Sequence, residues 1–107
     1  MTESITFISS RDPVEGDGSV HQLAVDLATA GHDVALFLVE NGTFLARAGA
    51  CSEIRGRLSA AGVQLLADDF ALAERGIVEG ALADGVDPTT LDVLVDHMAQ
   101  GRKVSWH

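Results

Sequence analysis

The chain has 107 residues, 47% of them apolar, and seven basic residues stand against 16 acidic ones for a net charge of −9. That length fits one domain, residues 1–107, in which folding buries roughly 65% of the unfolded surface, enough for a core without metal or disulfide staples. So acidic a surface repels phosphate backbones and anionic lipid, which excludes nucleic acid and membrane as expected partners.

Ile5-Thr6-Phe7-Ile8, running to Ser9, reads as a first strand, and residues 10–18 are rich in turn formers. Ser19 is a plausible N-cap with Gln22 completing a capping box. Val20, Leu23, Ala24, Leu27 and Ala28 then follow the spacing of one buried helix face, which Gly31 closes. Val34 to Val39 is apolar at every position, as in a central strand of a parallel sheet covered on both faces. Glu40-Asn41-Gly42 is a turn, and residues 43–50 are ambiguous, with a short helical turn as one option.

Ser52 to Ala61 reads as a helix with Ile54, Leu58 and Ala61 inward and Gly62 at its end. Val63 to Ala67 is a third strand and Asp69 to Arg75 a short helix. Residues 77–86 offer space for one short edge strand. Asp87-Pro88 has the form of a helix start, with Leu91, Leu94, Val95 and Met98 on the inner face and Gly101 closing it. Val104-Ser105-Trp106 forms a last strand with Val104 and Trp106 on one side. Strands alternating with helices across short links predict a three-layer, flavodoxin-like α/β sandwich with a mostly parallel sheet of four or five strands.

The lone cysteine, Cys51, cannot form an internal disulfide, which fits a reducing, cytoplasmic setting. The longest apolar run is far short of the ~20 residues that span a bilayer, and the N-terminus has no basic segment followed by an apolar one, so no signal peptide is expected. No metal-ligand spacing joins the four histidines, and neither a P-loop nor a nucleophile elbow is present.

Three places carry chemistry. The loop from Ser9 to Gly18 has two glycines ahead of a helix N-terminus, a setting for an anion, although Asp12, Glu15 and Asp17 oppose phosphate. His21 sits in the following helical turn, where it can face that loop. Asp68 and Asp69 form a carboxylate pair at a strand-to-helix corner, suited either to capping the helix or to ligand or cation binding. With Asp12 or Asp17 they would imitate a phospho-acceptor pocket, but that arrangement needs a lysine at the carboxyl end of the last strand and Lys103 is at its beginning. Cys51 precedes a helix with Arg47 and Arg55 nearby, a setting that favours the thiolate, while Glu53 opposes it. Phe44, Leu45 and Ile77 lie in irregular segments and either contribute exposed subunit contacts or fold under as core.

Taken together, the early strand and glycine loop before Ser19, the strand Asp33 to Val39, and the word Ala67-Asp68-Asp69-Phe70-Ala71-Leu72-Ala73-Glu74-Arg75-Gly76-Ile77 form a pattern. With Leu91 to Asp96 and the terminal Lys103-Val104-Ser105-Trp106, it resembles the DsrE/DsrF/DsrH (also TusB/TusC/TusD) sulfur-relay superfamily over nearly the whole chain. The resemblance implies a small cytoplasmic α/β subunit, without cofactor, in homo- or hetero-oligomers with DsrE-like subunits, often trimers or hexamers. Carrier members hold a persulfide on a cysteine at the strand-to-helix corner and pass it along a relay that includes other sulfur-carrier proteins. Asp68 occupies that corner here, so the resemblance implies a non-carrier or partner-binding member. The alternatives are a persulfide carrier that uses Cys51, or a small-molecule or metal site built from Asp12, Asp17, His21, Asp68 and Asp69.

Overall fold

The computed structural model describes residues 2–16 and 18–107. Five parallel strands form one sheet: β1 (Ser4–Ser9), β2 (Asp33–Leu38), β3 (Gln64–Asp68), β4 (Val86–Thr89) and β5 (Lys103–Trp106), in the order β4-β3-β2-β1-β5. The four α-helices among the described residues are α1 (Ser19–Thr29), α2 (Ser52–Ala61), α3 (Asp69–Glu74) and α4 (Asp92–Ala99). This is the expected α/β sandwich. β2, apolar and buried from Val34 to Leu38, stands in the middle of the sheet, because only a central strand can bury side chains on both faces.

Strand alternation sorts the core into two clusters. Phe7, Leu36, Leu38, Leu65 and Ala67 point to one face and meet Ala24 of α1, Leu58 of α2 and Leu72 of α3. Ile8, Ala35, Phe37, Val39 and Leu66 point to the other face and meet Leu94 of α4, with Val93 and Val104 at the margin. Three helices cover the first face. On the second, a single helix of about 12 Å at 1.5 Å per residue faces a sheet about 19 Å wide at 4.8 Å per strand gap.

That imbalance corrects the expected inner face of α4. Only Leu94 is buried, while Leu91, Val95 and Met98 are exposed. The helix also begins later than Asp87-Pro88, which lie in β4 instead. β4 is an edge strand, so a proline that donates no ladder hydrogen bond is tolerated there. The edge strand anticipated within residues 77–86 is displaced accordingly, and a 3-10 turn occupies Glu79–Ala81.

Residues Glu40–Ala46 form a longer 3-10 segment that takes in the expected Glu40-Asn41-Gly42 turn and residues 43–46 of the stretch the sequence left open, after which Arg47 bridges to Leu82. Leu45 and Ile77 are buried in the first core cluster and Phe44 packs partly against it, so these three serve as core rather than as an exposed contact patch. At the start of α1 the N-cap is Gly18 in a left-handed conformation, and Ser19 is the first helical residue. Gln22 makes no capping box: its side-chain amide donates to Asp26 Oδ1 at 2.8 Å, and its carbonyl oxygen accepts from Arg57.

Candidate functional site at the sheet's carboxyl edge

The chain steps from β1 through β2 and β3 to β4 in one direction, then returns to place β5 on the far side of β1. The helix that leaves β1 and the helix that enters β5 therefore lie on opposite faces of the sheet. A crevice opens where the winding direction reverses, at the carboxyl ends of β1 and β5, which is the usual ligand position in open α/β sheets.

A cavity of about 420 Å³ lies there, lined by Ser9, Ser10, Arg11, Asp12, His21 and Trp106 among others. Backbone bonds prolong the β1–β5 ladder into its wall: His107 N–H donates to Ile8 O at 2.7 Å and Ser10 N–H to His107 O at 3.0 Å. Trp106 Nε1–H donates to Ser10 Oγ at 3.3 Å, and the His107 ring packs against Phe7 at 5.4 Å between centroids. The loop above is held by its own polar groups. Asp12 Oδ1 accepts Val14 N–H at 2.8 Å and Asp12 O accepts Gly16 N–H at 2.9 Å.

His21 enters the cavity wall from the first turn of α1 and is 6% exposed. Its Nδ1 is buried without a hydrogen-bond partner among the described residues. Burial, and secondarily the charge of Arg57, push its pKa below the ordinary imidazole value. Both causes disfavour the protonated ring.

Of the other candidates, Asp68, Asp69 and Cys51 do not line this cavity. Asp17 lies outside the described residues. Asp68 ends β3, two strands from β1, and is 8% exposed. Its carboxylate accepts Ala71 N–H at 3.2 Å and caps α3, while Asp69 is the exposed first residue of that helix and borders a separate cavity with Leu72 and Ile77. Cys51 is half-buried ahead of α2, packed against the first core cluster, with φ at 53°. The nearby guanidinium groups serve the loop: Arg55 donates to the carbonyls of Leu45, Arg47 and Ala50, and Arg47 lies over the Phe44 ring. Lys103 pairs with Glu3 at the opposite end of β5. Among the described residues no three His, Cys, Asp or Glu side chains converge to hold a metal ion. Sequence reasoning had found Asp12 and His21, but not Arg11 or Trp106. The place of Trp106 depends on β5 lying beside β1, for which no local signal exists, whereas Arg11 lies in the loop Ser9 to Gly18 itself.

No family model matches the chain, and no curated protein matches it. Its fold nevertheless matches solved structures end to end. The ychN protein from E. coli superimposes with a TM-score of 0.85 at 23% identity, covering 99% of this chain and 100% of that one. MTH1491 from Methanobacterium thermoautotrophicum, described as a protein of unknown function, gives 0.76 at 16% identity over 100% of both chains. BT1422 from Bacteroides thetaiotaomicron, a conserved protein of unknown function, gives 0.73 at 13% identity over 98% of this chain and 95% of that one. The fold is shared, and identities this low carry no residue roles with it. No helix among the described residues is long and apolar enough to cross a membrane.

Proposed function

We propose that this protein is a small binding subunit related to the sulfur-relay proteins, one that does not itself carry sulfur. The observation that carries this reading is Asp68. At the corner where the resembling carriers hold a cysteine, this chain has a buried carboxylate committed to the Ala71 N–H. A carboxylate forms no persulfide, and this one already has a structural task at the helix terminus.

A subunit without a carrier group acts through what it docks. Leu91, Val95 and Met98, spaced i, i+4 and i+7 along α4, present an exposed apolar stripe on the thinly covered face of the sheet. We assign that stripe to contact with another copy of this chain, whose own α4 would supply the missing cover. Val95→Glu is then expected to lower the molar mass measured by light scattering after size exclusion, and an unchanged mass would move the contact elsewhere.

The competing reading gives the sulfur to Cys51, and its support is the left-handed backbone at that residue, an uncommon conformation for a side chain other than glycine. Intact-protein mass spectrometry after exposure to a persulfide donor separates the two. The non-carrier reading expects no gain of one sulfur, with the thiol confirmed free by alkylation after unfolding. A one-sulfur gain that disappears in Cys51→Ser would give the carrier role to Cys51 and end the non-carrier reading.

A further inference from the structure

Two side chains from the end of α4 meet one buried hydroxyl of β1. The helix closes with Arg102 N–H donating to His97 O at 3.0 Å across the left-handed Gly101, so the cap ties residues 97 and 102 together. Both then reach Thr6 Oγ1, His97 through Nδ1 at 2.8 Å and Arg102 through Nε at 3.0 Å. Thr6 is wholly buried, so water takes no share in these bonds.

Counting hydrogens fixes the direction of each bond. A hydroxyl has one hydrogen to give and two lone pairs with which to receive. A guanidinium only donates, so one lone pair of Oγ1 takes Arg102 Nε–H. Arg102 is not free to turn away, because it also donates to Asp33 Oδ2 at 2.7 Å and to Ile5 O at 3.0 Å. Among the described residues the hydroxyl hydrogen has no acceptor other than His97 Nδ1. A buried O–H left unpaired is costly, so it donates to that nitrogen. Nδ1 is then bare, and the neutral ring carries its hydrogen on Nε2.

A protonated ring would bring a second N–H to an oxygen that already accepts one, and the hydroxyl hydrogen would lose its acceptor. His97 is only partly buried, so the ring can leave Oγ1 for solvent instead. The loss falls on α4, the single helix over the second face, where Leu94 is its one fully buried side chain. Among the described residues, His97 to Thr6 is also the only side-chain hydrogen bond between α4 and the sheet.

We propose that His97 is a proton-operated latch, which holds the end of α4 against β1 when neutral and releases it when protonated. Burial, and after it the charge of Arg102, favours the neutral ring; Asp33 of β2 and Asp96 of α4 favour the charged one, as does the negative end of the α4 dipole. The balance lies on the neutral side, with the pKa below the ordinary imidazole value. The latch is therefore closed at neutral pH and opens in mild acid. It depends on neither the sulfur-relay reading nor a second copy of the chain.

The test is NMR of the full chain with labelled histidine ring nitrogens. At neutral pH the His97 ring is expected to show a bare Nδ1 and a hydrogen on Nε2. Lowering the pH from about 7.5 to about 5 should protonate that ring. In step with it, the Gln100, Gly101 and Arg102 amides should lose about fivefold in exchange protection relative to unstructured chain, the worth of one hydrogen bond. Thr6→Val is expected to raise the proton affinity of His97 about fivefold and to uncouple those amides from the ring. Thr6→Ser keeps the hydroxyl and should retain both the affinity and the coupling. A hydrogen on Nδ1 at neutral pH, a ring still neutral at about pH 5, cap amides indifferent to its titration, or an unchanged affinity in Thr6→Val would each overturn the proposal. The tautomer is read on the wild-type protein, so the test stays decisive if Thr6→Val fails to fold.

Discussion

At the amino edge of the sheet, Arg102 reaches under β1 and donates to Thr6 Oγ1 at 3.0 Å, to Ile5 O at 3.0 Å and to Asp33 Oδ2 at 2.7 Å. Thr6, wholly buried, lies 2.8 Å from His97 Nδ1 through the same oxygen. At the carboxyl edge of the same strand, His21 is nearly as buried, yet among the described residues its Nδ1 has no partner and Arg11 pairs with no carboxylate. Both edges thus combine β1, β5, an arginine and a histidine. The first satisfies its polar groups internally, whereas the second leaves His21 Nδ1 buried without a partner among the described residues. A closed polar cluster is a structural element, whereas a buried polar atom without a partner costs stability.

The largest effect tests how local that difference is. On the β1–β2 side of the carboxyl edge the backbone is tight: Val39 N–H donates to Ser9 O, and a Cβ built on Gly42 would lie 2.1 Å from that oxygen. Gly42→Ala has no space there and must displace main chain. It is expected to cost about 3 kcal/mol, the upper part of the overpacking range, and to lower Tm by roughly 10–20 °C. A thermal melt close to wild type would mean that the edge is loose on both sides of β1, and the contrast with the amino edge would lose its meaning.

Next in size is the amino-edge arginine, whose side chain is 10% exposed. Arg102→Met keeps an apolar stem and removes the donors, leaving Thr6 Oγ1 and Ile5 O with fewer partners in a buried setting. The expected loss is about 2 kcal/mol by denaturant unfolding. Little of it belongs to the Asp33 pair, because that carboxylate is 63% exposed and screened by solvent. Asp33→Asn should accordingly fall within about 0.5 kcal/mol of wild type.

These two edges were unequally legible in the sequence. β2 announced its central place, since six consecutive apolar residues can be buried only with helices on both sides. Asp87-Pro88 misled because an N-cap aspartate followed by proline and an edge-strand proline share one local signature, and only the sheet order separates them. The stripe Leu91-Leu94-Val95-Met98 identified an apolar side of α4, but spacing carries no information on how much partner surface exists to cover it. Gly18 and His21 were readable at the carboxyl edge because a glycine turn before a helix is a local feature. The Arg102–Thr6–His97 cluster was not, as its members meet across more than 90 residues of chain.

A matched pair of substitutions sharpens the contrast directly, because one operation should have opposite signs at the two edges. Thr6→Val removes a hydroxyl that already has two partners, leaving His97 Nδ1 and Arg102 Nε each one short. The expected cost is about 1–2 kcal/mol. His21→Leu, close in volume, removes a nitrogen that has no partner among the described residues. It is expected to leave stability unchanged or raise it by up to about 1 kcal/mol. Denaturant midpoints measured side by side decide the matter, and a destabilised His21→Leu would show that Nδ1 has a structural partner after all.

The smallest effect is the pH dependence. Burial lowers the pKa of both His21 and His97 below 6.5, assisted by Arg57 at the first and by Arg102 at the second, where Asp33 and Asp96 act in the opposite direction. A histidine with a depressed pKa binds fewer protons folded than unfolded, so its contribution to stability is fully present above 6.5 and is lost as pH falls through the folded-state value. The wild-type protein should therefore weaken as pH drops below about 6.5. His97 has two carboxylates that offset its shift and His21 has none. Removing His21 should thus flatten the curve in this window while leaving the His97 contribution in place. Unfolding free energies of wild type and His21→Leu compared between about pH 5.5 and 7.5 should converge toward the upper limit after allowance for a constant offset. Parallel curves would mean that the buried ring at the carboxyl edge is not held neutral, and the distinction between the two edges would then rest on geometry alone.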